Sequence, residues 1–125
     1  MMEEIVWVKR SVMSPEFLNE NFLKDLKSAL GETLLSALKE TYMAETRQRL
    51  QNMVKCWKAG DLHQVGTEAR ALEGDSTRLG LVYLSLSAQT LRQACEREEH
   101  AHVEDIVLKL TRDVETTLDH LHKFS

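Results

Sequence analysis

The residues of this chain that could hold a metal ion are mainly its five histidines and two cysteines. Two histidine pairs, His100 with His102 and His120 with His122, are spaced two residues apart. On a helix this spacing points the two imidazoles in different directions, whereas helical metal sites use residues four apart. The sequence also has no glycine-rich phosphate loop, nucleophile elbow or zinc-ligand spacing. We therefore predict no metal site and no cofactor, and we interpret both histidine pairs as solvated surface.

The stretch TEARALEGDSTRLG (residues 67–80) places a glycine among charged side chains inside a predicted helix. A glycine there costs roughly 1 kcal/mol relative to alanine, so its presence needs a reason. Arg70 shares one helix face with Gly66, Glu73, Gly74 and Thr77, at spacings of three, four and seven. Two of these residues have no side chain, so the face is flat around Arg70. Such a face suits docking to another protein, but the glycines could instead only allow a neighbouring helix to approach.

The acidic residues of this stretch have local candidates for ion pairs. Asp75 lies between apolar positions, so its carboxylate is expected to be partly covered and to need a partner. Arg78, three residues further on, is the local candidate. Arg70 and Glu73 are also three residues apart and could pair, although an exposed pair of this kind contributes only about 0.2–0.5 kcal/mol.

The elements that must position these residues are helices, because apolar residues recur at spacings of three and four. Four predicted helices carry such stripes, and short loops join them. The stripes are Leu35, Leu38, Tyr42, Thr46, Leu50, Met53 and Trp57; Leu62, Val65, Ala69, Leu72, Ser76 and Leu79; Leu81, Leu84, Ala88, Leu91 and Cys95; and Val103, Val107, Leu110, Val114, Thr117, Leu121 and Phe124. Ahead of them, Ser14 and Pro15 predict the start of a further helix that ends near Gly31. We predict an all-α antiparallel four-helix bundle with an additional N-terminal helix. Residues 1–13 would be an N-terminal extension, and residues 14–125 the bundle domain.

Length and composition limit the class of protein. The chain has 125 residues, of which 42% are hydrophobic and 29% charged, as expected for one compact domain. The formal net charge of -4 argues against a nucleic-acid partner, since phosphate binding needs a basic patch. No apolar stretch approaches the roughly 20 residues that span a bilayer, and the first residues lack a signal-peptide pattern. We expect a cytoplasmic protein that binds no membrane, with Cys56 and Cys95 as reduced, small core residues.

The segment AGDLHQVGTEARALEGDSTRLG, with the helix spacing around it, resembles the histidine-containing phosphotransfer (HPt) family. Members of that family are small four-helix bundles that pass phosphoryl groups between receiver domains. The resemblance extends from about Leu18 to Leu121. The family pattern is a Gly-Asp turn and then a helix with roughly the sequence A-H-x-L-K-G-[SA]-[SA]-x-x-L-G. The residues that match it are Ala69, Leu72, Gly74, Ser76, Leu79 and Gly80.

Three departures from the family pattern change the chemistry that the resemblance implies. Arg70 stands at the position of the phosphorylated histidine, Glu73 at that of a lysine, and Asp75 at a position that is usually small. A guanidinium group stays protonated and has only hydrogen-bond donors, so Arg70 cannot be the nucleophile. The resemblance thus implies an HPt-like scaffold without the usual chemistry. Whether the changes reflect drift or an acquired binding role is open.

The leading hypothesis is a non-catalytic signalling module, not an enzyme, that binds the receiver domain of a response regulator or a histidine kinase. Its expected partner-binding face consists of Gly66, Thr67, Arg70, Glu73, Gly74 and Thr77. Receiver active sites are acidic, so they would attract Arg70 but repel Glu73. A kinase helix bundle and a second copy of this chain are therefore alternative partners, and Val6 and Trp7 could support self-association.

The competing hypothesis is active phosphotransfer through a displaced histidine. His63 is the best candidate, because it precedes Arg70 by seven residues and lies on nearly the same helix face. It would stand about 10 Å from the usual site along the helix axis. The simpler interpretation of His63 is an exposed polar residue near a helix cap. A structural domain without a signalling role is a third hypothesis.

Overall fold

The computed structural model describes residues 18–124, and the chain between these limits forms five α-helices. We number them α1 (Glu20–Leu30), α2 (Glu32–Lys58), α3 (Leu62–Arg78), α4 (Val82–Glu96) and α5 (His100–Lys123). Short connections join them, as the sequence predicts. The predicted domain limit at residue 14 lies outside the described residues, and so do Val6 and Trp7.

Helices α2 to α5 form an antiparallel four-helix bundle. Helix α3 packs against α2 and α4, and α5 closes the bundle by packing against both α4 and α2. The direction of α3 and α4 follows from two cross-helix contacts, since Thr77 meets Ser85 near one end and Glu73 meets Arg92 further along. The predicted fold class is therefore confirmed.

The apolar stripes predicted for α3, α4 and α5 face the core, with Phe124 alone half-buried. In α2 the stripe is correct except at two places. Leu38 is 40% exposed instead of buried, and Trp57 is only half-buried against the core. Met43, one residue after Tyr42, is buried as well. At 3.6 residues per turn, Leu38 and Met43 lie at opposite edges of the buried side of α2, so the core covers Met43 and leaves Leu38 partly accessible to solvent.

The additional helix α1 begins later than predicted. It starts at Glu20, where the side chain of Asn19 accepts a hydrogen bond from the backbone N–H of Phe22 at 3.0 Å. The predicted helix start at Ser14 and Pro15 lies outside the described residues. Gly31 ends α1 as predicted and also precedes the first turn of α2.

Gly80, in the turn between α3 and α4, fixes how α1 meets the bundle. Its φ of +69° is a backbone conformation that favours glycine, and a Cβ there would lie 2.6 Å from Cδ1 of Phe22. The aromatic ring of α1 therefore occupies the space that the missing side chain leaves. Phe22 covers Gly80 and stays 39% exposed, while Leu23 beside it is fully buried.

One buried polar contact fixes the position of α3 against α2. The hydroxyl groups of Tyr42 and Ser76 lie 2.9 Å apart in the core. Burial raises the pKa of Tyr42, and its hydrogen bonds to Ser76 and Thr46 oppose that effect. Because a buried hydroxyl needs a partner, the pair sets the rotation of α3 about its own axis.

The two cysteines are free thiols, as predicted. Cys95 is buried in the core, whereas Cys56 is half-buried against it. Among the described residues, no helix combines the length and the apolar character needed to cross a membrane.

Candidate functional site

Helix α3 turns one face to the core and the opposite face to solvent. Leu62, Val65, Ala69, Leu72 and Ser76 are buried. On the other side, the exposed residues include five that we call the outer face of α3: His63, Thr67, Arg70, Gly74 and Arg78. The spacings of three and four that place the first set toward the core turn the second set toward solvent.

The two glycines of α3 differ in their surroundings. A Cβ on Gly66 would lie 3.4 Å from Cβ of Cys95 on α4, so this glycine lets the two helices approach closely. A Cβ on Gly74 would meet nothing within 4 Å. Close packing therefore accounts for Gly66 but not for Gly74, which lies in the middle of the outer face.

The sequence spacing suggested that Glu73 could pair with Arg70. In the structure Glu73 pairs instead with an arginine of the next helix. Arg92 Nε lies 3.3 Å from Glu73 Oε1, and Arg92 Nη1 lies 3.0 Å from Glu96 Oε1. The carboxylates of Glu96 and Glu73 raise the pKa of Arg92. Arg70 approaches the same Glu96 at 3.8 Å with a side chain that is 73% exposed. The four side chains form an alternating line of charges across α3 and α4.

Asp75 has the local partner that the sequence suggested and a second one from α2. Arg78 Nη1 lies 3.3 Å from Asp75 Oδ1, and Arg49 Nε lies 3.1 Å from Asp75 Oδ2. Arg49 Nη1 is also 3.6 Å from Glu68 Oε2, an atom that is buried and has no hydrogen bond. The proximity of Arg49 compensates the charge of that carboxylate, although the geometry is too long for a hydrogen bond.

Sequence reasoning missed Arg49 and Arg92, the two arginines of neighbouring helices that form ion pairs with the carboxylates of α3. A signal was present, since each is adjacent to a residue of its own helix's buried stripe, Leu50 or Leu91. That position aims a long side chain along the boundary between two helices. Which neighbouring helix it meets depends on the bundle topology.

A groove of about 490 Å³ lies between α3 and α4. Its lining includes His63, Gly66, Arg70, Arg92, Cys95 and Glu96. The structure thus brings His63 and Arg70 to one depression. Burial, together with the charge of Glu96, raises the pKa of Cys95 to about 11, so its thiol is protonated at neutral pH and is a poor nucleophile.

The six residues of the predicted partner-binding face divide into two groups. Thr67, Arg70, Gly74 and Thr77 are exposed. Gly66 and Glu73 are turned toward α4, because they contact Cys95 and Arg92. The outer face of α3 therefore keeps Thr67, Arg70 and Gly74 of the predicted face and adds His63 and Arg78. Thr77 is exposed too, but its hydroxyl lies 2.7 Å from that of Ser85 on α4. Docking at this face stays a prediction.

Metal ligands do not converge anywhere in residues 18–124, where no group of three or more His, Cys, Asp or Glu side chains could hold an ion. His100 and His102 are exposed at the start of α5, and His102 Nδ1 lies 4.0 Å from Glu99 Oε1. His120 and His122 are exposed at the other end of α5. The predicted surface position of both pairs is confirmed.

A comparison with solved structures gives this architecture a counterpart. Histidine-containing phosphotransfer protein B (HptB) from Pseudomonas aeruginosa PAO1 superposes with a TM-score of 0.81. The match covers 88% of this chain and 95% of HptB. The fold is an HPt fold. The two sequences are 20% identical, so the likeness concerns the fold alone. No family model matches the chain, and no curated protein matches it.

Proposed function

We propose that this protein is a non-catalytic HPt-like signalling module that binds a receiver domain or a histidine kinase in the cytoplasm. The observation that carries the proposal is Arg70, which stands on the exposed face of α3 where the sequence resemblance places the phosphoryl acceptor. The HPt fold supports this assignment, because it supplies the helix on which that acceptor would lie.

The chemistry of Arg70 opposes a phosphotransfer role. A phosphoryl acceptor needs a nitrogen lone pair that can attack phosphorus, and a guanidinium group, which stays protonated in proteins, offers only N–H donors. Its donors suit recognition of carboxylates instead. The module would therefore act by occupying its partner, and it would not be an enzyme.

Binding can be tested through Gly74, because a side chain there would project into solvent from the outer face without contacting the core. Gly74→Leu should block capture of receiver domains or kinases while the protein stays folded. Ala44→Leu is the matched control, since it adds the same bulk at an exposed position of α2. Both variants and the wild type are compared with purified receiver domains and kinases of the source organism. Equal binding by all three proteins would exclude this face as the interface.

One observation favours phosphotransfer through a displaced histidine as a second candidate. His63 is exposed and lines the same groove as Arg70. In this mechanism an imidazole nitrogen attacks the phosphorus of a phosphoaspartate, and the bond from phosphorus to the aspartate oxygen breaks. The carboxylate leaves, and the imidazole proton passes to water. Alkaline mass spectrometry after incubation with a phosphorylated receiver decides between the two, since only this candidate yields phosphohistidine at His63.

A further inference from the structure

The charged residues of α3 are sorted by sign around the helix. Its carboxylates lie along the two flanks, with Glu73 beside α4 and with Glu68 and Asp75 beside α2. The charged side chains of the outer face are arginines, Arg70 and Arg78. This arrangement is not evident from the sequence, in which three acids and two arginines are intermixed.

Each flank is compensated by an arginine from the neighbouring helix. Arg92 of α4 and Arg49 of α2 have side chains only 20% and 29% exposed, so they lie low between the helices. The flank carboxylates Glu73 and Asp75 are 26% and 18% exposed. These partly buried pairs interact more strongly than exposed ones, because less water screens them.

The two outer arginines, by contrast, share carboxylates that are already engaged. Arg70 reaches Glu96 at 3.8 Å, while Arg92 holds Glu96 at 3.0 Å. Arg78 shares Asp75 with Arg49, and its side chain is 81% exposed. The outer guanidinium groups therefore project beyond the acids that they share. A partner approaching α3 meets positive charge first.

We propose that the outer face of α3 binds an acidic protein surface, with Arg70 and Arg78 as its anchoring cations on either side of Gly74. This inference rests on the proposed function for the biological identity of the partner. The two arginines are eight residues apart, which is about 12 Å along the helix, so the complementary surface presents carboxylates at a similar separation. Gly74 between them lets that surface approach the helix backbone.

The sorting of charges also answers the objection that Glu73 would repel an acidic partner. Glu73 is turned to α4 and neutralised by Arg92. Two carboxylates line the groove beside Arg70: Glu96, which is 55% exposed and bonded by Arg92, and Glu98, which is also exposed. Repulsion from this side therefore comes mainly from Glu98, and the two cations Arg70 and Arg78 outnumber it at the outer face.

The test uses the full chain, labelled with ¹⁵N, and a synthetic polyglutamate peptide as the acidic probe. Backbone amide shifts should change along residues 63–78, and the affinity should fall as salt is raised. Arg70→Gln and Arg78→Gln should each weaken binding about two- to five-fold. Arg112→Gln, an exposed arginine of α5, is the matched control and should leave the affinity unchanged. Polylysine should leave the amides of this face unshifted.

The outcomes separate this inference from the signalling function. Shift changes centred on another surface, or equal polyglutamate binding by the Arg70→Gln/Arg78→Gln double variant, overturn the acidic docking face. A receiver or kinase that binds in a Gly74-sensitive way but ignores both arginines also overturns it, while the signalling proposal stands. If polyglutamate binds here and depends on both arginines, yet no receiver or kinase binds, the acidic docking face stands and the signalling proposal fails.

Discussion

Glu73 of α3 is paired with Arg92 of α4 at 3.3 Å, although Arg70 lies only one turn away on its own helix. The interhelical pair joins two elements of the bundle, so it contributes to tertiary structure as well as to local helix stability. It also decides what the outer face of α3 presents, because it removes the carboxylate of Glu73 from that face.

Replacing Arg92 with alanine should destabilise the protein, because Glu73 and Glu96 both lose the cation that they contact. We expect the free energy of unfolding to fall by more than it does for the control below, because Arg92 lies low between two helices. Urea titration followed by circular dichroism measures it. Arg97→Ala is the control, since Arg97 is 70% exposed and lies 4.0 Å from Glu99. Equal effects of the two substitutions would contradict the structural role of Arg92.

Alanine substitution of three glycines should give three different results. Gly74→Ala should stabilise the protein by about 0.5–1 kcal/mol, because alanine favours a helix and its Cβ has free space. Gly66→Ala should gain less, since its Cβ would contact Cys95 at 3.4 Å. Gly80→Ala should destabilise, because a positive φ and the ring of Phe22 both oppose a side chain. Thermal unfolding midpoints rank the three, and a destabilising Gly74→Ala would show that the outer face is not free.

The wild-type protein should not accept a phosphoryl group from a phosphorylated receiver domain, because Arg70 offers no nucleophilic nitrogen. Intact mass spectrometry under alkaline conditions detects a phosphoramidate if one forms. Arg70→His tests the scaffold, since it restores an imidazole at an exposed position of the outer face. A wild-type mass increase that His63→Gln abolishes would instead establish the displaced histidine as the acceptor.

Stability should decline in alkaline solution partly through Cys95. Its pKa rises from 9.0 to about 11 in the folded protein, so the unfolded chain loses this proton first as the pH rises. The contribution of the buried thiol is therefore complete below pH 9.0 and is lost as the pH approaches about 11. Urea titrations between these limits should show a shallower decline for Cys95→Ala than for the wild type. Cys56→Ala is the control, and an identical slope for both variants would contradict the assignment.

The sequence by itself determined the helices and most of the core. Apolar spacing is a local property, and it located α2 to α5 and their buried faces with errors at Leu38 and Trp57. Turn chemistry was equally local, since Gly31 and Gly80 end helices at the expected places. The predicted start at Ser14 lies outside the described residues, and the cap of α1 by Asn19 was not predicted, although asparagine is a good cap residue.

Only the tertiary structure decided the charge distribution around α3. The spacing of Arg70 and Glu73 suggested a local pair. The observed partners are distant in sequence: Arg92 is 19 residues from Glu73. Arg49 is 26 residues from Asp75. Long side chains can reach either along their own helix or across a boundary, and the choice depends on how neighbouring helices are rotated and how closely they approach. Gly66 permits that close approach to α4, whereas Gly74 faces solvent. The sequence alone did not distinguish the two glycines.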